Sequence, residues 1–157
     1  MHFKDIVLEK KSLMLQIDGI VQGVGFRPFV YCLAKKYELN GYVINTSEGV
    51  YIHIEGNEEQ IEKFIKALND EKPPLAQILS IKKNEAIFEN YSNFSILESS
   101  SGISNSALIP ADISICKDCY NELFDPQNRR FHYPFINCTN CGQRYTIIEK
   151  IPYDRPY

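Results

Sequence analysis

The sequence predicts an α+β protein in two parts. One antiparallel sheet carries two helices on a single face, and a small four-cysteine zinc-binding module follows it. Three observations predict this. Segments of two-residue apolar period alternate with segments of helical period as far as residue 98. A polar, small-residue stretch, SSSGISNS at 99–106, then interrupts the pattern. Beyond it stand two C-x-x-C pairs, which hold four of the five cysteines. With 157 residues, 44% of them hydrophobic, the chain has enough apolar material for one medium domain or two small ones.

The elements follow in order. LMLQIDG (13–19) puts Leu13, Leu15 and Ile17 on one face, as in a half-buried strand. The stretch FVYCLAKKYEL spaces Val30, Leu33, Ala34 and Tyr37 as an amphipathic helix, with Cys32 as a small core residue near its stripe and Pro28 at the first helical position. GYVINT (41–46) is a strand, SEG a turn with Gly49 at positive φ, and VYIHIEG (50–56) a strand directing Val50, Ile52 and Ile54 inward. Asn57 and Gln60 have the spacing of a capping box, and Ile61, Phe64, Ile65 and Leu68 line the helix behind them. After Pro73–Pro74, strands are predicted near 78–83 and 93–98. The order βαββαβ, with a short extra strand, is the ferredoxin-like split βαβ arrangement.

The entrance to the first helix carries the chemistry. In IVQGVGFRPFVY, Gly23 and Gly25 let the backbone curl so that successive N–H groups face inward as an anion nest. The helix N-terminus aims its unpaired N–H groups and positive dipole end at the same place. Arg27 adds a planar fork that matches phosphate oxygens. By itself a G-x-G turn with an arginine is more commonly a solvated cap. In GYVINTSEGV, Asn45 near the end of the second strand can face the loop, though an asparagine there is more commonly a turn former.

Taken together, VQGVGFR and GYVINTSEGV resemble the acylphosphatase family, over residues 12–98. The resemblance implies an acylphosphatase sandwich that hydrolyses a carboxyl–phosphate mixed anhydride. It assigns phosphate binding to Arg27 and a main-chain cradle to Gly23, Val24, Gly25 and Phe26. Asn45 becomes the residue that orients the attacking water, and Arg27 and Asn45 the catalytic pair. Ile44 stands where relatives often carry arginine, outside that pair.

CKDC (116–119) and CTNCG (138–142) each present two thiolates to one ion, and eighteen residues between them leave room for a hairpin or loop. Cys116, Cys119, Cys138 and Cys141 therefore predict a closed, structural Zn²⁺ site, with a redox dithiol pair as the lesser alternative. Gly142 suits a knuckle turn. His132 reads as a surface or packing residue, not a ligand, and Tyr133, Phe135 and Tyr145 as packing around the knuckles.

DISICKDCYNELFDPQNRRFHYPFINCTNCGQRYTI and PYDRP, joined to the loop that continues as R-P-F-V-Y, resemble the N-terminal part of the HypF family of carbamoyltransferases. That resemblance implies carbamoyl phosphate as substrate, a role in cyanide-ligand synthesis during NiFe-hydrogenase maturation, and HypE as partner of the complete protein. It divides the chain into an acylphosphatase-like domain (10–98), a linker (99–107) and a zinc-finger module (108–157). It also implies a fragment, since the family continues beyond PYDRPY into nucleotide-binding and transferase domains. Carbamoyl transfer itself is not expected from this chain alone.

Other classes fare worse. A net charge of −3 opposes a nucleic-acid binder, although Arg129, Arg130, Arg144 and nearby aromatics keep an RNA-binding knuckle as the alternative, beside a stand-alone acylphosphatase. No apolar run spans a bilayer and no signal peptide opens the chain, so a cytoplasmic location is expected.

Overall fold

The computed structural model describes residues 10–99 and 114–142. Residues 100–113, which hold the rest of the predicted linker and the start of the predicted zinc-finger module, and residues 143–157, including Arg144 and Tyr145, lie outside them, as does His2. The elements are β1 (Lys10–Ile20), α1 (Phe26–Lys36), β2 (Asn40–Thr46), β3 (Gly49–Asn57), α2 (Glu58–Asp70), β4 (Gln77–Glu85), β5 (Phe94–Ile96) and α3 (Lys117–Phe124). The sheet runs β4-β1-β3-β2-β5. β3 is antiparallel to both β1 and β2, β4 is antiparallel to β1, and β5 adds a parallel edge beside β2. This is the split βαβ unit the periodicities predict, with the extra strand in place.

One apolar layer holds the sheet to the helices. Leu15, Ile17, Val43, Val50, Ile52 and Ile54 meet Val30, Leu33, Ala34, Ile61, Phe64 and Leu68, all buried in one cluster. The alternation along each strand sends the intervening side chains to the other face. There Ser12 Oγ lies 2.7 Å from His53 Nε2, and the His53 ring meets Tyr42 and Tyr91 edge-on. His53 thus has partners that its sequence surroundings did not suggest. Glu55, buried on the same face, accepts hydrogen bonds from the backbone N–H groups of Glu89 and Tyr91. That carboxylate pins the 86–93 segment against the sheet. Glu55→Ala leaves both donors short of a partner and is expected to cost about 2 kcal/mol, read as a lower denaturant midpoint at constant slope.

Four local expectations need correction. α1 begins at Phe26, with Gly25 as N-cap in the left-handed region, so Pro28 is the third helical residue. Its missing N–H is still harmless there, because first-turn N–H groups have no intrahelical partner. Asn57 does occupy the N-cap of α2, but no side-chain cap forms, and Gln60 donates to Glu38 Oε2 at 3.2 Å instead. Cys32 is exposed, because Phe26, Val30, Leu33 and Ala34 make the buried stripe and Cys32 falls on the outer side. Tyr37 follows α1 as its C-cap, half-buried against the core.

In the cysteine module the segment between the pairs is neither hairpin nor plain loop: it is α3 followed by a chain of turns. Cys116 is the N-cap of α3 and Cys119 lies within it. Ile136 packs with Cys119 and Cys141, flanked by Leu75, Ile115 and Leu123. Tyr133 and Phe135 do not pack around the knuckles; they are about half exposed and meet each other edge-on. The space beside the sulfurs is taken by Ile136, Ile115, Leu123 and Leu75 instead. No described helix is long and apolar enough to cross a membrane.

Candidate functional site

The loop between β1 and α1 is held from inside by Val21 and Val24, each about 1% exposed. With those anchors fixed, the chain must reverse within few residues. Gly23 (φ 73°) and Gly25 (φ 75°) supply the left-handed turns. The α1 N-terminus carries no side-chain cap and no acidic residue in its first turn, whereas α2 begins with Glu58 and Glu59. Nothing negative from α1 itself therefore competes for its N–H groups, which suits an incoming anion. Arg27, in that same first turn, is half-buried, and its Nη1 donates to Ser99 Oγ at 3.2 Å.

Asn45 shares with Gly41 and Val43 the face of β2 turned toward the helices, so it and Arg27 lie on one side of the sheet. It is 2% exposed, and its Oδ1 has no hydrogen-bond partner among the described residues. A buried carboxamide oxygen left so costs roughly 1–3 kcal/mol unless something fills its lone pair. Register brings the loop and this residue together: Asn45 pairs with Val50, and Val50 with Ile17, just before the loop. Gln22 completes the join. Its Nε2 donates to Thr46 O at 2.7 Å and to Gly49 O at 3.2 Å, tying the loop to the β2–β3 turn. Sequence reasoning overlooked Gln22, although it sits inside VQGVGFR; only the burial of the amide reveals it.

The four paired cysteines converge. Their Sγ atoms all lie within 4.8 Å of one another. Cys116–Cys138, Cys119–Cys141 and Cys138–Cys141 measure 3.6, 3.7 and 3.8 Å. A tetrahedron of thiolates about 2.3 Å from a central ion has edges of about 3.8 Å, so the donor set fits one metal ion. Burial pushes the Cys119 and Cys138 thiols up. Burial also acts on Cys141, but backbone groups of Cys116 and Cys138 and the neighbouring thiols outweigh it and hold that thiol at about 7. Four acids this close cannot all ionise beside one another, and a divalent cation removes the conflict. His132 is exposed, stacks on Phe131 at 3.8 Å and is not among the converging donors.

Comparison with known proteins agrees with both halves. The acylphosphatase family model matches residues 13–96 and the HypF finger model residues 115–148. The chain is 50% identical over 149 residues to a probable carbamoyltransferase HypF of Methanocaldococcus jannaschii, covering 93% of this chain and 19% of that one. It is 41% identical over 88 residues to an acylphosphatase of Pseudothermotoga lettingae, covering 55% of this chain and 98% of that one. A solved structure of full-length HypF in its phosphate- and nucleotide-bound form superposes with a TM-score of 0.87 at 46% identity, covering 97% of this chain and 20% of that one. The chain thus spans about a fifth of the length of the carbamoyltransferases it matches.

Proposed function

The chain belongs to the acylphosphatase family, and from that premise we propose that it hydrolyses an acyl phosphate, carbamoyl phosphate in particular. In the reading supported by its likeness to HypF proteins, this is the first step of carbamoyl transfer for cyanide-ligand synthesis in NiFe-hydrogenase maturation. HypE is then the partner of the longer protein, and the ion held by Cys116, Cys119, Cys138 and Cys141 is structural zinc, with no open position for substrate.

The chemistry needs little from the protein. Main-chain N–H groups of Gly23, Val24, Gly25 and Phe26 cradle the phosphoryl oxygens, and Arg27 closes on them bidentately. Asn45 Oδ1 accepts a hydrogen bond from a water and aims it at phosphorus. The water oxygen forms the new P–O bond while the bond to the carbamoyl oxygen breaks. Carbamate leaves with that electron pair, and the water's proton passes to a phosphoryl oxygen, giving dihydrogen phosphate. With so good a leaving group, positioning and charge stabilisation suffice.

The observation that carries this reading is the buried Oδ1 of Asn45, without a hydrogen-bond partner among the described residues, on the helix-facing side of the sheet and one residue from the turn that Gln22 ties to the loop. Asn45→Ala is expected to lower phosphate release from carbamoyl phosphate about 100-fold, while inhibition by inorganic phosphate changes little. Equal turnover in wild type and variant would show that Asn45 does not hold the water. A folded wild-type chain with no release at all would overturn the function.

A further inference from the structure

The second cysteine knuckle touches the phosphate loop through bare backbone. Gly142 is buried with φ +72°, and a Cβ added there would lie 2.4 Å from Gly23 O. A Cβ on Gly25 would lie 2.9 Å from Thr139 O and 3.5 Å from Thr139 Cβ. Two segments more than a hundred residues apart thus each place a glycine where any side chain would part them. The knuckle is itself closed by the Gly142 N–H, which donates to Cys138 O at 2.8 Å. Leu75 packs against both the sheet's core and the cysteine cluster, giving the two units a second contact.

The contact has a direction. A trans peptide is planar, with its C=O and the next N–H on opposite sides. The Gly23 carbonyl faces Gly142, so the Val24 N–H faces away from the knuckle. A knuckle held in place by a metal resists rotation of that peptide; a loose one lets the flexible glycines turn it. We propose that the metal-bound knuckle Cys138–Gly142 is a positioning element of the phosphate loop, so that metal occupancy of the cysteine cluster sets phosphate affinity at Gly23–Phe26. This rests on the reading that the loop binds phosphate. It gives the cysteine module a task at the reaction centre beyond its own folding.

The test uses the full chain, inorganic phosphate as probe, and amide NMR shifts of Gly23, Val24 and Gly25. With zinc bound, those amides are expected to shift on titration with phosphate. After chelation the dissociation constant is expected to rise at least about tenfold, with β1 and β3 amides unmoved. Gly142→Ala, loaded with cobalt to verify thiolate coordination by its absorption, is expected to weaken phosphate similarly while keeping the metal. Unchanged phosphate affinity and loop shifts with and without metal would overturn the coupling and leave the loop's role standing. Absence of any phosphate-dependent shift in the zinc-bound chain would overturn the loop's role and the coupling with it.

Discussion

Arg27→Ala is expected to reduce kcat for phosphate release from carbamoyl phosphate by two to three orders of magnitude, about 3–4 kcal/mol of barrier, by analogy with loss of one preorganised oxyanion donor. In the proposed site the loop, the helix terminus and the guanidinium would all serve one anion, but only the guanidinium carries a full charge. Charge builds on the phosphoryl oxygens and the leaving oxygen during transfer, so its removal weighs on the transition state. Arg27→Lys is expected to recover only part of the loss, because an ammonium cannot bind two oxygens in the planar geometry. Arg27 is half-buried, and loss of its bond to the neutral Ser99 Oγ is expected by itself to cost about 1 kcal/mol of stability. Turnover and melting temperature, measured on the same samples, separate the two effects. A folded Arg27→Ala variant with near-wild-type turnover removes the catalytic assignment.

Metal removal is expected to act on the other unit. The module's own buried cluster consists of Cys119, Ile136 and Cys141 with a few partly buried neighbours, whereas the sheet and its helices share a continuous core. So small a cluster does not offset the entropy of ordering nearly thirty described residues. Structural zinc in comparable peptides contributes about 10–16 kcal/mol, enough to decide whether the module folds. Chelation is therefore expected to abolish amide protection across 116–142 and leave β1, β2 and β3 protected. Reactive thiols are expected to rise from one, the exposed Cys32, to all five. A chelated chain with the module still protected and only Cys32 reactive would exclude a metal-dependent fold.

Local patterns carried far because each element satisfies its physics locally. Leu13, Leu15 and Ile17 alternate because β1 has one face on the core, and Ile61, Phe64 and Leu68 recur because α2 does too. Where the reading slipped, a distant partner outweighed a neighbour. Gln60 left the Asn57 cap for Glu38, a residue just past the C-cap of the other helix. Cys32 lay close to the apolar stripe in sequence yet on its outer side in space. Tyr133 and Phe135 flank the knuckles along the chain, but Ile136, Leu123 and Leu75 fill the space beside the sulfurs.

The sequence by itself determined the order of strands and helices as far as residue 98, the flexible glycines with an arginine at a helix entrance, and two thiol pairs spaced for one ion; α3 between those pairs was not among them. These are properties of short stretches, where side-chain period and backbone freedom act between near neighbours. Only the tertiary structure decided that Asn45 is buried with an acceptor unmet among the described residues, that Gln22 ties the loop to the β2–β3 turn, and that Gly142 backs onto Gly23. Each depends on which strands pair and which faces meet, and those follow from burying apolar surface across the whole chain, which no single stretch encodes.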